Sequence, residues 1–154
     1  MPSSSPSSAS SPSPEGDTAR LLAAMPFATW LGVELVTATP EWTEGRLPWS
    51  ERACTAGGML HGGALMALAD SVGAVCAYLN LPRGAGTSTV ESKTNFLCAV
   101  RDGSAHATAR PLHVGGTLLV VQTDLRDDRD RLVAQTTQTQ LVLKPSKSSE
   151  PAGG

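Results

Sequence analysis

The sequence predicts one α+β domain, an antiparallel sheet with one face packed on a single long helix. Three observations predict it. The 154-residue chain can bury a core of ordinary size without a staple. Its middle, GGMLHGGALMALADSVGAV (57–75), has the composition of a buried helix. After residue 86 the apolar period changes from that of a helix to two.

MPSSSPSSASSPSPEG, residues 1–16, reads as a disordered tail. Proline and serine dominate it, and it holds no apolar surface to offset the entropy of ordering. It has neither the basic start nor the apolar stretch of a secretory signal. The folded domain should occupy 17–143, with 144–154 a second disordered tail. Asp17 caps a short helix, TARLLAAMPFATWL, on whose uneven apolar face lie Leu21, Leu22, Met25 and Trp30. GVELVTATPEWTEGRLPW reads as two strands about a turn near Thr39 and Pro40. SERACTAGGMLHGG is too glycine-rich for regular structure.

The long helix runs from Gly62 to Leu79. On a helical wheel Leu65, Leu68, Ala69, Val72, Cys76 and Leu79 form the stripe that faces a sheet. The opposite side carries Gly63, Ala67, Asp70, Ala74 and Ala77, small residues around one carboxylate, so a second surface should close over it. TSTVESKTNFL, GSAHATARPLHV, TLLVVQTDLRD and RLVAQTTQTQLVL then alternate as four half-buried strands, divided by polar turns.

The net charge is −2 and the cations are scattered singly, which argues against nucleic acid as a partner. No stretch reads as a membrane span, because 57–81 is interrupted by Gly, His, Asp and Ser. Cys54, Cys76 and Cys98 lie far apart without ligand spacing, as expected of plain thiols in a reducing cytoplasm. His61, His106 and His113 include no i, i+4 pair, so no metal is implied.

An isolated carboxylate among apolar neighbours is costly unless it is hydrogen-bonded, paired or protonated, which makes Asp70 the leading functional residue. Eight positions earlier the helix begins at His61-Gly62-Gly63. Amides there have no intrahelical acceptor and can polarise a carbonyl.

Three segments carry a resemblance: GMLHGGALMALAD at Gly58–Asp70, TVESKTNFL at Thr89–Leu97, and LRDDRDRLVA at Leu125–Ala134. Together they resemble the hotdog-fold acyl-CoA thioesterases, in the branch of the phenylacetate-pathway and 4-hydroxybenzoyl-CoA enzymes. The resemblance implies a hotdog fold, an antiparallel sheet wrapped around one helix, working as a homodimer or homotetramer with its sites between subunits. It implies hydrolysis of an aryl or medium-chain acyl-CoA thioester to a free acid and CoA, with no cofactor. Asp70 would be general base or nucleophile, the Gly62 amide the oxyanion donor, and His61 a shaper of the loop. Gly63, Ser88, Thr89, Gly115, Gly116 and Thr117 would contact substrate or the CoA arm. Thr55 stands where many members carry Asn or Gln to orient water, and Cys98-Ala99 stand where Arg-Pro is frequent. A non-catalytic CoA or acyl-carrier binding module, and a hotdog hydratase or dehydratase, are the alternative readings.

Overall fold

The structure, a computed structural model, describes residues 14–145. Most of both tails therefore lies outside the described residues. The elements are α1 (Pro14–Ala23), α2 (Pro26–Leu31), β1 (Glu34–Ala38), β2 (Thr43–Pro48), a 3-10 turn (Glu51–Ala53), α3 (Gly62–Leu79), β3 (Gly86–Phe96), β4 (Ser104–Val114), β5 (Leu118–Asp127) and β6 (Leu132–Leu143).

The first helical segment differs from expectation in two ways. It starts at Pro14, so Asp17 lies inside α1 and caps nothing; a proline suits the first turn because the amide it lacks would be unpaired there. It also breaks before Pro26, which opens α2. Leu22 and Met25 pack on the core, whereas Trp30 points outward, 63% exposed and stacked on Phe27.

The six strands form one antiparallel sheet in the order β1-β2-β4-β5-β6-β3. β3 follows α3 in the chain yet pairs only with β6, the last strand, and it ends the sheet as an edge strand. The sheet curls around α3. Leu65, Leu68, Ala69, Val72 and Cys76 are buried against Leu47, Val121, Leu125 and Val133, with Ala105, Ala107 and Ala109 of β4 in the same core. Burying that helical stripe stabilises the domain by roughly 1.5–3 kcal/mol for each large side chain. α3 has the length and apolar composition of a membrane span, and in the fold it is the helix that the sheet encloses.

The small-residue side of α3 is less enclosed. Ala77 is buried, Ala67 and Ala74 are half-buried, and Gly63 and Asp70 are exposed. Thus a single chain closes one side of the helix and leaves the other partly open.

Candidate active site

At the N-terminus of α3, His61 is the cap residue, with extended backbone at φ −63°, ψ 139°, and its Nδ1 accepts a hydrogen bond of 2.8 Å from the Gly63 amide. Accepting there leaves the neutral ring's proton on Nε2. A Cβ on residue 63 would stand 3.0 Å from His61 Nδ1, so the glycine is what lets the ring fold back over its own helix. The His61 carbonyl accepts from the amides of Ala64 and Leu65. The Gly62 N–H is left without an acceptor among the described residues, as the first turn of a helix requires. The Phe96 ring rests against Gly62, with room for a Cβ only at 3.2 Å.

Thr55 joins this end. Its backbone is held by Met59 and Gly58, at 2.9 and 3.3 Å, while its hydroxyl has no hydrogen bond among the described residues. Thr55 and Gly62 line one open cavity of about 290 Å³ with Leu65, Phe96, Cys98 and Ala99. The structure therefore brings the predicted water-orienting position and the predicted amide together.

Two turns along α3 lies the carboxylate. Asp70 Oδ1 accepts from Gln138 Nε2 at 3.2 Å and from the Thr89 hydroxyl at 3.5 Å, the latter at the limit of a useful bond. Oδ2 accepts nothing among the described residues, so one oxygen is steadied and the other is open to a reactant. Desolvation by the surrounding protein pushes Asp70 above the ordinary carboxylate value, and the bonds from Thr89 and Gln138 oppose that push without cancelling it. A carboxylate so placed is a stronger base than one in water.

The support for Asp70 extends along β6. Gln140 is fully buried and donates to the Thr89 hydroxyl at 2.8 Å, which leaves the hydroxyl proton free to turn toward Asp70. The Thr87 hydroxyl lies 3.1 Å from Gln140 Oε1. Gln138 and Gln140 are the residues that sequence reasoning missed. The signal was the run QTTQTQ, polar on both faces within a strand that must bury one of them.

The remaining predicted contacts make no hydrogen bond to Asp70 among the described residues. Ser88, next to Thr89 on β3, pairs with Leu141. Gly115, Gly116 and Thr117 form the β4–β5 turn, tied to β6 by the bond from the Val142 amide to the Thr117 carbonyl at 2.8 Å. No histidine partners Asp70 among the described hydrogen bonds: His61 caps α3, and His106 pairs with Asp128 at 2.6 Å on the surface. Burial pushes the Cys76 thiol up to about 11, which suits a packing role in the core.

The thioesterase superfamily profile matches residues 57–134. The 1,4-dihydroxy-2-naphthoyl-CoA hydrolase of Escherichia coli is 31% identical over 100 residues, covering 65% of this chain and 74% of that protein. A crystallised thioesterase from Haemophilus influenzae superposes with a TM-score of 0.81 at 26% identity, covering 92% of this chain and 97% of its own. A thioesterase family protein from Silicibacter pomeroyi gives 0.79 at 26% identity, covering 86% of this chain and all of its own.

Proposed function

This chain belongs to the thioesterase superfamily, has the hotdog fold and is a thioester hydrolase, and from that premise we propose that it cleaves an aryl or medium-chain acyl-CoA thioester with Asp70 and the Gly62 amide. The reading rests above all on Asp70, a carboxylate with one steadied and one open oxygen on an otherwise uncharged helix. The aryl option is supported by the Escherichia coli relative, whose named substrate is a naphthoyl-CoA.

In the reaction, the Gly62 N–H donates to the thioester carbonyl oxygen as negative charge builds on it. Asp70 either takes a proton from the attacking water or adds to the carbonyl carbon itself, giving an anhydride that water then opens. Either way the C–S bond breaks and the sulfur leaves as thiolate, to be protonated as free CoA. His61 keeps the amide bare by capping Gly63 in its place. The unengaged Thr55 hydroxyl is available to orient water.

One helix is too long to bring both groups to one carbonyl. Eight residues at about 1.5 Å each separate Gly62 from Asp70 by roughly 12 Å, whereas both must lie about 3 Å from adjacent substrate atoms. Two copies with their α3 helices antiparallel would set the amide of one beside the carboxylate of the other. The open side of α3 supports this reading. So does β3, an 11-residue edge strand with Val90 and Phe96 exposed beside Leu97, since such an edge asks to be covered. The working form is accordingly a homodimer or a homotetramer of such pairs, and its place the cytoplasm. Gly63, Ser88, Thr89 and the Gly115–Thr117 turn then supply contacts to substrate across the interface.

The test is a panel of CoA thioesters, aryl and straight-chain, with the matching acyl-carrier thioesters, followed by release of free thiol. Turnover of the CoA compounds is expected, and Asp70→Asn should abolish it while circular dichroism stays unchanged. Near-parent turnover by a folded Asn variant would reduce Asp70 to a structural residue.

A further inference from the structure

The geometry points to Gln138 as the positioning residue of the catalytic carboxylate, its amide locked into a notch that Gly73 leaves in α3 so that Nε2 is aimed at Asp70 Oδ1. This rests on the reading of Asp70 as the reacting group.

Four observations carry it. Gln138 is completely buried, and the one hydrogen bond of its side chain among the described residues is the 3.2 Å bond to Asp70. A Cβ on residue 73 would stand 2.0 Å from Gln138 Oε1 and 2.8 Å from its amide carbon, so any side chain there would expel the amide. The amide can point only one way, because the reverse orientation would set its oxygen against a carboxylate. Finally, Oε1 is buried without a partner, as is the neighbouring Thr123 hydroxyl, which faces the same notch.

The last observation bears on purpose. A buried amide with an unmet acceptor costs stability, and an apolar side chain of equal size would serve the core better. Met offers that size with no polar atom to satisfy. What Gln adds over Met is a fixed hydrogen-bond donor that presents Asp70 in one rotamer, with Oδ2 left open. Thr89 is a weaker candidate for this task, because its bond is longer and it lies exposed on the edge strand. Among the described residues no charged side chain acts on Asp70; the groups that do are Thr89 from β3 and Gln138 from β6.

Gln138→Met keeps length and volume and removes the donor. It should lower kcat about tenfold, the value of one hydrogen bond to a charged group, with KM within about twofold. The acid limb of the kcat/KM profile should move to higher pH, since a bond that favoured the carboxylate is gone. The thermal midpoint should stay level or rise, opposite to the activity. Gly73→Ala, which fills the notch without touching Asp70, should reproduce the loss of kcat and the moved limb. In the parent, the Gln138 side-chain amide protons should titrate by NMR with the midpoint of that limb, a readout that needs no variant. Parent-like kcat and an unmoved limb in either folded variant, or amide resonances indifferent to pH, overturn the assignment. If these occur while Asp70→Asn is inactive, only the role of Gln138 falls; an active Asp70→Asn removes the reading beneath it.

Discussion

The two ends of the proposed reacting surface of α3 are built by different means. At Gly62 the proposed reacting group is a backbone N–H, and everything that exposes it lies within three residues: the cap ring of His61, the glycine that admits it, and the carbonyl that starts the helix. At Asp70 the proposed reacting group is a side chain, and what steadies it comes from β3 and from β6, 19 and 68 residues along the chain. The proposed oxyanion donor is thus a local product of helix initiation, whereas the proposed base, with its chosen rotamer and raised proton affinity, needs strands that the chain adds later.

The sharpest way to break that contrast is to disable the two ends on separate chains. Gly62→Pro removes the amide proton at a position where proline is favoured, and the extended His61 backbone accepts a following proline. Mixed and re-annealed with Asp70→Asn chains, it should recover about a quarter of parent activity, because half the dimers are mixed and each mixed dimer holds one intact site in trans. No recovery, with mixed dimers verified by mass spectrometry, would return both groups to one chain.

Taken alone, Gly62→Pro should cost about 10² to 10³ in kcat, as loss of an oxyanion donor does, with a thermal midpoint slightly below the parent's because its Cβ presses on the half-exposed Phe96 ring. A small loss would mean that the carbonyl is polarised elsewhere.

Smaller again is Thr55→Asn, which should raise kcat by up to about tenfold if an amide holds the water better than a hydroxyl that bonds nothing in the protein. A fall with both Thr55→Asn and Thr55→Val would make the threonine a fully adapted member of the site.

The smallest effect concerns stability. Because burial raises Asp70, the folded chain holds its proton more tightly than the unfolded chain. That contribution is fully present below the ordinary value of 3.8 and is lost as pH rises through the raised value. Asp70→Asn cannot lose a proton, so its thermal midpoint should match the parent's in acid and exceed it slightly at neutral pH. An equal gap at every pH would show that Asp70 does not titrate in this window.

The contrast also explains what could be read in advance. The bounds of α3 and the four later strands follow from apolar period, and HGG announces a helix start, because all of this is encoded between near neighbours. Asp70 stands out for the same local reason, a charge in an apolar run. Its supports do not stand out. QTTQTQ is polar at every position, so a period-two reading cannot say that Thr136, Gln138 and Gln140 point inward. Only the pairing of β6 with both β5 and β3 decides that face. The break before Pro26 was open to reading, since proline seldom continues a helix. The start at Pro14 was obscured by Asp17, whose residue type suits a cap equally well.

Strand order carries a consequence for the newborn chain. Synthesis delivers α3 and β3 early, yet β3 pairs with β6 alone, from Gly86 with Leu143 to Phe96 with Ala134. Until those last residues emerge, β3 has no neighbour in the sheet and Asp70 has no Gln138. At about 5 to 20 residues per second that interval lasts several seconds. The bare amide of Gly62 is ready as soon as the helix forms, and the carboxylate's setting is completed only when the final strand docks. A chain cut short before β6 would carry the family's motif without the setting of its proposed base.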